Sequence, residues 1–325
     1  MNLTRHQLLN LAAAAVAVSA ISGTGTAQTY PNRPLRMIVG TPAGGSTDAI
    51  GRLMGQWLSE RLGQQCVIDN RPGGGTNIAT EAVVKASPDG HTLLVFATSS
   101  AINATLYEKL SFSFVRDIAP VASLIRVPNV IVVNPSMPVK TIPDLIAYAK
   151  ANPGKVNAAT PGSGTGPHMS GELFKMMAGI SMAHIPYRGS APATIDLLGG
   201  RVQLLFTSVT AVMELIKAGR LRALAVTTAA RSPKMPDLPT VGESVPGYEA
   251  SSWWGIGAPR GTPNEIVNKL NREINAAFAD PRMQARLSDL DGTPMPGSPA
   301  QFAKFIADET TKWGRIVKFS GARPE

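Results

Sequence analysis

The sequence predicts an α/β fold of two lobes, each with a mainly parallel sheet flanked by helices. Short apolar stretches rich in β-favouring residues alternate with stretches of helical period, which is typical of strand–helix–strand units. Two glycine-rich loops, at 40–45 and 160–167, each follow an apolar strand and precede a helix start. Two crossing segments near residues 125 and 250 divide the pattern. Lobe 1 is therefore expected at residues 28–125 and 251–325, and lobe 2 at residues 126–250.

The first run of units begins with an apolar strand at 35–39 and a helix at 46–62, whose apolar residues recur with helical spacing. A strand at 66–69, a helix at 77–86 and a strand at 91–97 follow, separated by turns rich in proline and glycine. An extended segment at 118–133, interrupted by Pro128, leads into the second run.

The second run repeats this alternation of strands and helices, and the chain then ends in three helices. Helices are predicted at 141–151, 168–178, 191–198 and 211–218, and strands at 156–159, 182–186, 202–206 and 221–226. A last strand at 253–258 precedes three helices that begin at or near prolines, at 263–278, 281–290 and 299–317. We expect this last part to return to lobe 1.

The N-terminus has the pattern of an export leader. Arg5 is followed by an apolar stretch at 8–20 and by the small residues Gly25-Thr-Ala27, which predicts a signal peptide at 1–27 that is cleaved after Ala27. An uncleaved membrane anchor is disfavoured because the apolar stretch is too short and no stop-transfer flank follows it. We therefore expect an exported protein that is not inserted in the membrane after cleavage.

The net charge and the cysteine content of the chain narrow the classes of ligand and site that are expected. The net charge of +9 favours small anionic ligands, but the basic residues are scattered and not arranged in the stripe that nucleic acids require, so no nucleic-acid partner is expected. Cys66 is the only cysteine, which excludes an intrachain disulfide and a cysteine-based metal site. Its apolar neighbours predict a buried, small hydrophobic residue in a strand, and a catalytic thiol is the alternative.

The two glycine-rich loops are the candidate binding elements. A helix that begins after such a loop leaves backbone N–H groups unpaired, and these groups together with the helix dipole hold anions. The hydroxyls of Thr41, Ser46, Thr47, Ser163 and Thr165 would add neutral hydrogen bonds. The alternative is a plain strand–helix connection with no ligand.

The sequence lacks the common motifs for nucleotide binding, serine hydrolysis and helical metal sites. Neither loop matches the phosphate-binding G-x-x-x-x-G-K-[ST] or the dinucleotide-binding G-x-G-x-x-G, and no serine lies in G-x-S-x-G. No two histidines have the i,i+4 spacing of a helical metal site. No catalytic residue, metal ligand or cofactor is therefore predicted, although a Ser–His–Asp site assembled at long range stays open. His168 either contacts an anion or caps and packs its helix.

Several segments together resemble one family. Thr41-Pro-Ala-Gly-Gly-Ser-Thr-Asp48, Asn70-Arg-Pro-Gly-Gly-Gly-Thr-Asn77, Pro161-Gly-Ser-Gly-Thr-Gly-Pro-His168, Pro186-Tyr-Arg-Gly189, Asp196-Leu-Leu-Gly-Gly-Arg-Val202 and Leu238-Pro-Thr-Val-Gly-Glu243 occur in this order. The mature chain resembles the Bug-type extracytoplasmic solute receptors of tripartite tricarboxylate transporters. This resemblance implies a monomeric periplasmic protein with a two-lobe, type II-like binding-protein fold. It would close on a di-, tri- or aromatic carboxylate and deliver it to the membrane subunits of a transporter.

The resemblance also supplies most of the candidate ligand-binding residues. They lie in the two loops, after the third strand and at the far wall: Thr41, Ala43, Gly44, Ser46, Thr47, Asp48, Thr76, Asn77, Thr98, Ser99, Ser163, Gly164, Thr165, His168, Tyr187, Gly189 and Thr207. At Thr207-Ser208 many relatives carry an acidic residue, which argues here against a ligand with an amino group at that point. Arg188 stands where a lysine is common.

Two other functions share the same sequence features. A sensor that presents its bound ligand to a signalling partner would use the same site. An exported hydrolase or isomerase would need a base, for which His168 is the candidate.

Overall fold

A computed structural model describes residues 30–324, in which a mixed sheet is flanked by helices. The strands of the described residues are β1 (Leu35–Val39), β2 (Cys66–Asn70), β3 (Thr92–Ala97), β4 (Ile118–Val133), β5 (Asn157–Thr160), β6 (Ala183–Pro186), β7 (Leu204–Ser208), β8 (Arg222–Val226), β9 (Ser251–Pro259) and β10 (Thr293–Pro294). Their order is β2-β1-β3-β9-β4-β7-β5-β6, with β8 and β10 also paired to β4.

The helices cover the faces and ends of this sheet. They are α1 (Ser46–Leu62), α2 (Asn77–Val84), α3 (Thr98–Leu106), α4 (Phe114–Asp117), α5 (Ile142–Ala151), α6 (Gly166–Ala178), α7 (Ser190–Leu198), α8 (Val209–Lys217), α9 (Asn264–Ala277), α10 (Pro281–Asp289) and α11 (Pro299–Ser320). Several begin at local signals that the sequence carries, such as the capping boxes Thr141/Asp144 before α5 and Ser298/Gln301 before α11.

Two long strands connect the halves of the sheet. β4 pairs antiparallel with β9 from Ile118 to Pro128, and with β7 from Asn129 to Val133. The change of partner therefore falls at Pro128, where the missing N–H of proline removes one ladder hydrogen bond. On either side of β4 and β9, the pairs β1–β2, β1–β3, β5–β6 and β5–β7 are parallel.

A buried aromatic cluster fastens the last helix to β9. Trp253 on β9 packs edge-on against Phe302 of α11, with ring centroids 6.1 Å apart. The indole N–H groups of Trp253 and Trp313 each donate to Oε2 of Glu309 at 2.8 Å, so the buried carboxylate is hydrogen-bonded from two sides. These contacts hold α11 against β9, the strand that also lines the cavity described below.

Most predicted elements are confirmed, with boundaries that differ by a few residues. Three elements were not predicted from the sequence: α3, which begins directly after β3, the short helix α4 and the two-residue strand β10. Cys66 is confirmed in strand β2, where burial raises the pKa of its thiol to about 12. The predicted signal peptide lies outside the described residues, and the lobe boundaries near 125 and 250 stay a prediction. Within residues 30–324, no helix has the length and apolar content needed to cross a membrane.

Candidate functional site

A cavity of about 400 Å³ lies where four helices begin. Its wall combines the starts of α1, α2 and α3 with the loop before α6 and with strand β9. The lining residues are Thr41, Thr47, Gly75, Thr76, Ala97, Thr98, Ser99, Asn103, Leu106, Tyr107, Ser163, Gly164, Thr165, Gly166, Pro167, Ser252, Trp254 and Pro324. None of these lining residues, all within the described part of the chain, carries a charged side chain or a histidine.

Three of the four helices begin without a side-chain cap. The N-cap residues of α1, α2 and α3 are Gly45, Thr76 and Ala97, and none of their side chains bonds to the first turn. The first N–H groups of a helix have no partner within the helix and carry its positive dipole end. Three such ends border one uncharged cavity, an arrangement that suits an anion.

Unpaired polar side-chain atoms lie at the same place. Thr41 Oγ1, Thr76 Oγ1, Asn77 Nδ2 and Ser100 Oγ are buried and have no hydrogen-bond partner within the described chain. Thr41 and Thr76 line the cavity, whereas the predicted residue Asn77 follows Thr76 and lies off the lining. Ser100 is only 4% exposed, and it lines a small cavity of about 10 Å³ that shares Thr47, Thr76 and Ser99 with the larger one. Buried polar groups are normally paired, so unpaired hydroxyls that line a cavity are available to bond with what enters it.

Asp48 holds the first loop in shape from behind. Its carboxylate accepts hydrogen bonds at 2.9 Å from the Gly44 N–H, from Arg52 Nε and from Asn70 Nδ2. The hydrogen bond from Arg52 is the largest cause that lowers the pKa of Asp48 to about 2. Asp48 is 2% exposed and does not line the cavity. The predicted residues Ala43, Gly44 and Ser46 are exposed and also lie off the lining.

Thr47 and Thr98 are positioned by the two tryptophans of β9. The indole N–H of Trp254 donates to Thr47 Oγ1 at 3.0 Å. The backbone N–H of Trp253 donates to Thr98 Oγ1 at 2.9 Å. Because neighbours on a strand point to opposite faces, one tryptophan lines the cavity and the other packs in the core. The starts of α1 and α3 are thereby tied to the same strand.

The loop before α6 supplies the opposite wall. Ser163, Gly164 and Thr165 line the cavity as predicted positions, together with Gly166 and Pro167. Thr165 caps its helix, because its Oγ1 accepts from the His168 N–H at 3.3 Å and donates to the Gly162 carbonyl at 2.7 Å. This helix start therefore uses its own side chains to satisfy its backbone.

His168 is enclosed beneath this loop. Its Nδ1 accepts from the Gly164 N–H at 3.1 Å, and its Nε2 lies 3.8 Å from Glu172 Oε1. The ring stacks on His184 with centroids 3.6 Å apart, and burial is the largest cause that lowers the pKa of His168 to about 3. Of the two open interpretations, the geometry favours capping and packing. A buried imidazole with both nitrogens directed at the protein is poorly placed to act as a base on a ligand.

The predicted far wall lies outside the cavity lining. The Gly189 N–H donates to the Pro161 carbonyl at 3.1 Å, and the Tyr187 hydroxyl donates to Asp196 at 2.7 Å. Thr207 is fully buried, and its hydroxyl donates to Ser190 Oγ at 3.0 Å. In this structure Gly189 and Tyr187 support the loop at 160–167, and none of the three residues contacts the cavity.

The lining also contains residues that sequence reasoning missed. Asn103, Leu106 and Tyr107 come from the unpredicted helix α3 and its end, and Ser252 and Trp254 come from β9. Asn103 Nδ2 donates to the Gly75 carbonyl at 2.6 Å and to Asn77 Oδ1 at 3.2 Å, so it ties α3 to the second glycine-rich turn. The i,i+4 pair Ile102 and Leu106 after Thr98-Ser-Ser is the sequence signal of this helix, and a single pair is a weak one.

No metal site is apparent in the described residues. Across 30–324, no group of three or more histidine, cysteine, aspartate or glutamate side chains is arranged to hold a metal ion. The side chains that line the cavity supply hydroxyl groups, one amide and apolar surface.

Comparison with known proteins agrees with this arrangement. Protein BugT of Bordetella pertussis is 39% identical over 326 residues, which cover 99% of each chain. The structure of R. palustris Rpa4515 with adipate is 38% identical and superimposes with a TM-score of 0.80, covering 91% of this chain and 100% of its own. MatC (Rpa3494) from Rhodopseudomonas palustris, with bound malate, is 29% identical with a TM-score of 0.77, covering 89% of this chain and 100% of its own.

These similarities confirm the predicted two-lobe periplasmic-binding-protein fold and the Bug-type resemblance. The sequence profile of the tripartite tricarboxylate transporter family receptor matches residues 50–322, which is most of the chain. The chain belongs to the tripartite tricarboxylate transporter receptor family, whose members are periplasmic solute receptors.

Proposed function

We propose that this protein captures a small carboxylate in the cavity between its glycine-rich helix starts. The observation that carries this proposal is the convergence of three uncapped helix N-termini on one cavity without charged side chains. Each such terminus stabilises an anion by about 0.3–1 kcal/mol at an exposed site, and by up to about 2 kcal/mol when partly buried. The adipate and malate bound by the two relatives are carboxylates, which supports the same ligand chemistry here.

Delivery to a membrane transporter follows from the family. The released ligand would pass to the membrane subunits of a tripartite transporter, and the receptor would act as a monomer. Export would use the leader at 1–27, with cleavage after Ala27. Binding without turnover is expected, because His168 is paired within the protein and no histidine or carboxylate lines the cavity in the described chain.

Capture would involve closure of lobe 2 on lobe 1. The ligand would contact the α1–α3 starts on one side and the loop at 163–167 on the other, so binding favours the closed arrangement. β4 and β9 would form the hinge, since they connect the two halves of the sheet. The proposed lobes are residues 28–125 with 251–325, and residues 126–250.

The proposal is tested by binding of carboxylates to the mature chain from Gln28. A ligand at a hundred times its dissociation constant should add about 2.7 kcal/mol of stability, which a thermal-shift screen detects and calorimetry then quantifies. Thr76→Val should weaken binding at least tenfold, because a hydrogen bond to a charged group contributes about 1.5–3 kcal/mol. The ligand should be recovered chemically unchanged.

A matched variant controls for the loss of a threonine hydroxyl. Thr311→Val removes an exposed hydroxyl on α11, which bonds only to the Ala307 carbonyl of its own helix, and should leave binding unchanged. The proposal fails if no carboxylate binds the folded mature chain, or if both variants bind equally well.

A further inference from the structure

The two ends of the cavity differ in chemistry. Thr98, the first residue of α3, and Leu106, its last, both line the cavity. Eight steps along an α-helix correspond to about 12 Å, so α3 lies along the length of the cavity. The helix thereby presents its positive end at one pole and its negative end at the other.

The pole at the start of α3 is built for an anion. Thr47 of α1, Thr76 before α2 and Ser99 of α3 line both the main cavity and the small one beneath it. The buried, unpaired hydroxyl of Ser100 lies in the small cavity as well. One carboxylate at this pole would meet three helix starts and several hydroxyls.

The pole at the end of α3 is apolar. Leu106 is 4% exposed and lies so close to Gly164 that a Cβ atom there would be 2.6 Å from Leu106 Cδ2. Tyr107 follows it, and its side chain fills the space beside Gly75: a Cβ there would be 2.5 Å from the Tyr107 hydroxyl oxygen and 3.1 Å from the nearest ring carbon, so the ring adds apolar surface and the hydroxyl is neutral. Both residues line the cavity.

Lobe 2 adds little to stabilise a second anion. The hydroxyl of Thr165 and the N–H groups of Gly164 and His168 are already used in internal hydrogen bonds at the α6 start. Ser163 of the same loop also lines the cavity, but its hydroxyl is neutral and supplies no counter-charge. Pro167, the second residue of α6, has no N–H to offer. The Arg323 side chain, next to the lining residue Pro324, is exposed and is not part of the lining.

We propose that the ligand carries a single carboxylate and an apolar body that contacts Leu106 and Tyr107. This inference rests on the proposed function, since it assigns the class of carboxylate for the same site. A second carboxylate at the apolar pole would lose its hydration without gaining a counter-charge, and it would face the negative end of α3. A hydrocarbon chain or a phenyl ring gains by burial at the same place.

Matched ligands test this directly by calorimetry on the mature chain. Hexanoate and adipate share a six-carbon chain and differ only at the far end, as do benzoate and terephthalate with a ring. We expect hexanoate to bind at least tenfold more tightly than adipate, and benzoate more tightly than terephthalate. Equal or tighter binding of the dicarboxylates would overturn the inference and leave the proposed function intact. If none of the four binds, and acetate and malate also fail, the proposed function itself is wrong.

Variants at the apolar pole test whether Leu106 and Tyr107 cause the preference for monocarboxylates. Leu106→Ala should weaken hexanoate about tenfold and leave acetate unchanged, because acetate is too short to reach Leu106. The control Ile195→Ala, at a side chain 64% exposed on α7, should change neither. Tyr107→Lys gives a second variant at a partly exposed position, and it should raise the affinity for adipate relative to hexanoate. Unchanged selectivity between hexanoate and adipate in folded Leu106→Ala and Tyr107→Lys would contradict the assigned pole. As a further control, Arg323→Gln should leave the ratio of hexanoate to adipate affinity unchanged.

Discussion

The two glycine-rich helix starts look alike in sequence but differ in their hydrogen bonding. At α1 the N-cap is Gly45, which has no side chain, and the first turn of the helix has no side-chain cap. At α6 the N-cap is Thr165, whose hydroxyl accepts from the His168 N–H, while the His168 ring accepts from the Gly164 N–H. Of the two glycine-rich loops, the one before α1 is therefore the better suited to an anion, because it does not supply its own cap.

The supports of the two loops differ as well. The first loop is held by the ionised carboxylate of Asp48, whose pKa is lowered chiefly by Arg52. The second is held by the neutral imidazole of His168, whose pKa is lowered chiefly by burial. One support requires a charge and the other requires its absence, so acid should affect them in different pH ranges.

The largest expected effect is the loss of stability that His168 causes in mild acid. The folded pKa of about 3 lies below the ordinary value of 6.5, so below pH 6.5 the unfolded chain binds a proton that the folded chain refuses. Stability from this group is present above pH 6.5 and is lost as the pH falls toward 3, by up to about 1.4 kcal/mol per pH unit. Between pH 6.5 and 5, wild type should lose about 2 kcal/mol more than His168→Asn in urea unfolding.

Asp48→Asn is the matched control for this pH range. The folded pKa of Asp48 is about 2 and its ordinary value is 3.8, so its contribution is present above pH 3.8 and is lost between that value and 2. Above pH 5 the slope of stability with pH in Asp48→Asn should match wild type. Parallel curves for wild type and His168→Asn between pH 6.5 and 5 would show that His168 is not held neutral.

The second-largest effect, on carboxylate affinity, is expected when α1 receives a side-chain cap of its own. Gly45 has φ −78° and ψ 166°, a backbone conformation open to any residue, and a Cβ there would lie 3.5 Å from its nearest neighbour. In Gly45→Asp the new carboxylate would accept from the first turn and compete with the ligand. Carboxylate affinity, measured by calorimetry, should fall at least tenfold, which is about 1.4 kcal/mol, while the free energy of unfolding stays equal or rises slightly.

Pro263→Asp provides the same change of charge at another uncapped helix start. Pro263 is the exposed N-cap of α9 and does not line the cavity, so its substitution should leave carboxylate affinity unchanged. If Gly45→Asp and Pro263→Asp weakened the ligand equally, the effect would come from net charge alone, and the start of α1 would not be the anion site.

Local signals in the sequence predict much of the fold. The strand at 35–39 and the helix at 46–62 are found at the predicted bounds, because apolar period, glycine and proline all agree there. Helix α3 was missed because Thr98-Ser-Ser and the small residues after it have weak helical period, and its stability comes from packing against α11.

The site was predictable in part. Thr41, Thr47, Thr76, Thr98, Ser99, Ser163, Gly164 and Thr165 are the predicted residues that line the cavity. Asp48 and His168 are adjacent in sequence to lining residues, but each side chain turns inward to hold its own loop. No local pattern distinguishes a residue that faces a ligand from one that supports the loop beneath it, since that depends on where the side chain finds its partners. Leu106, Tyr107 and Trp254 are brought to the cavity only by tertiary packing.

The smallest effect should come from removing the cap that distinguishes α6 from α1. Thr165→Ala deletes the hydroxyl that accepts from the His168 N–H and should lower the free energy of unfolding by about 1 kcal/mol in urea. Thr141→Ala removes an equivalent cap from α5, outside the cavity lining, and should cost about the same. Only Thr165→Ala frees a backbone donor in the first turn of α6, whose residues Gly166 and Pro167 line the cavity, so it alone should improve adipate binding relative to hexanoate, by about two- to threefold. An equal ratio in both variants would mean that capping does not decide which helix start receives the anion.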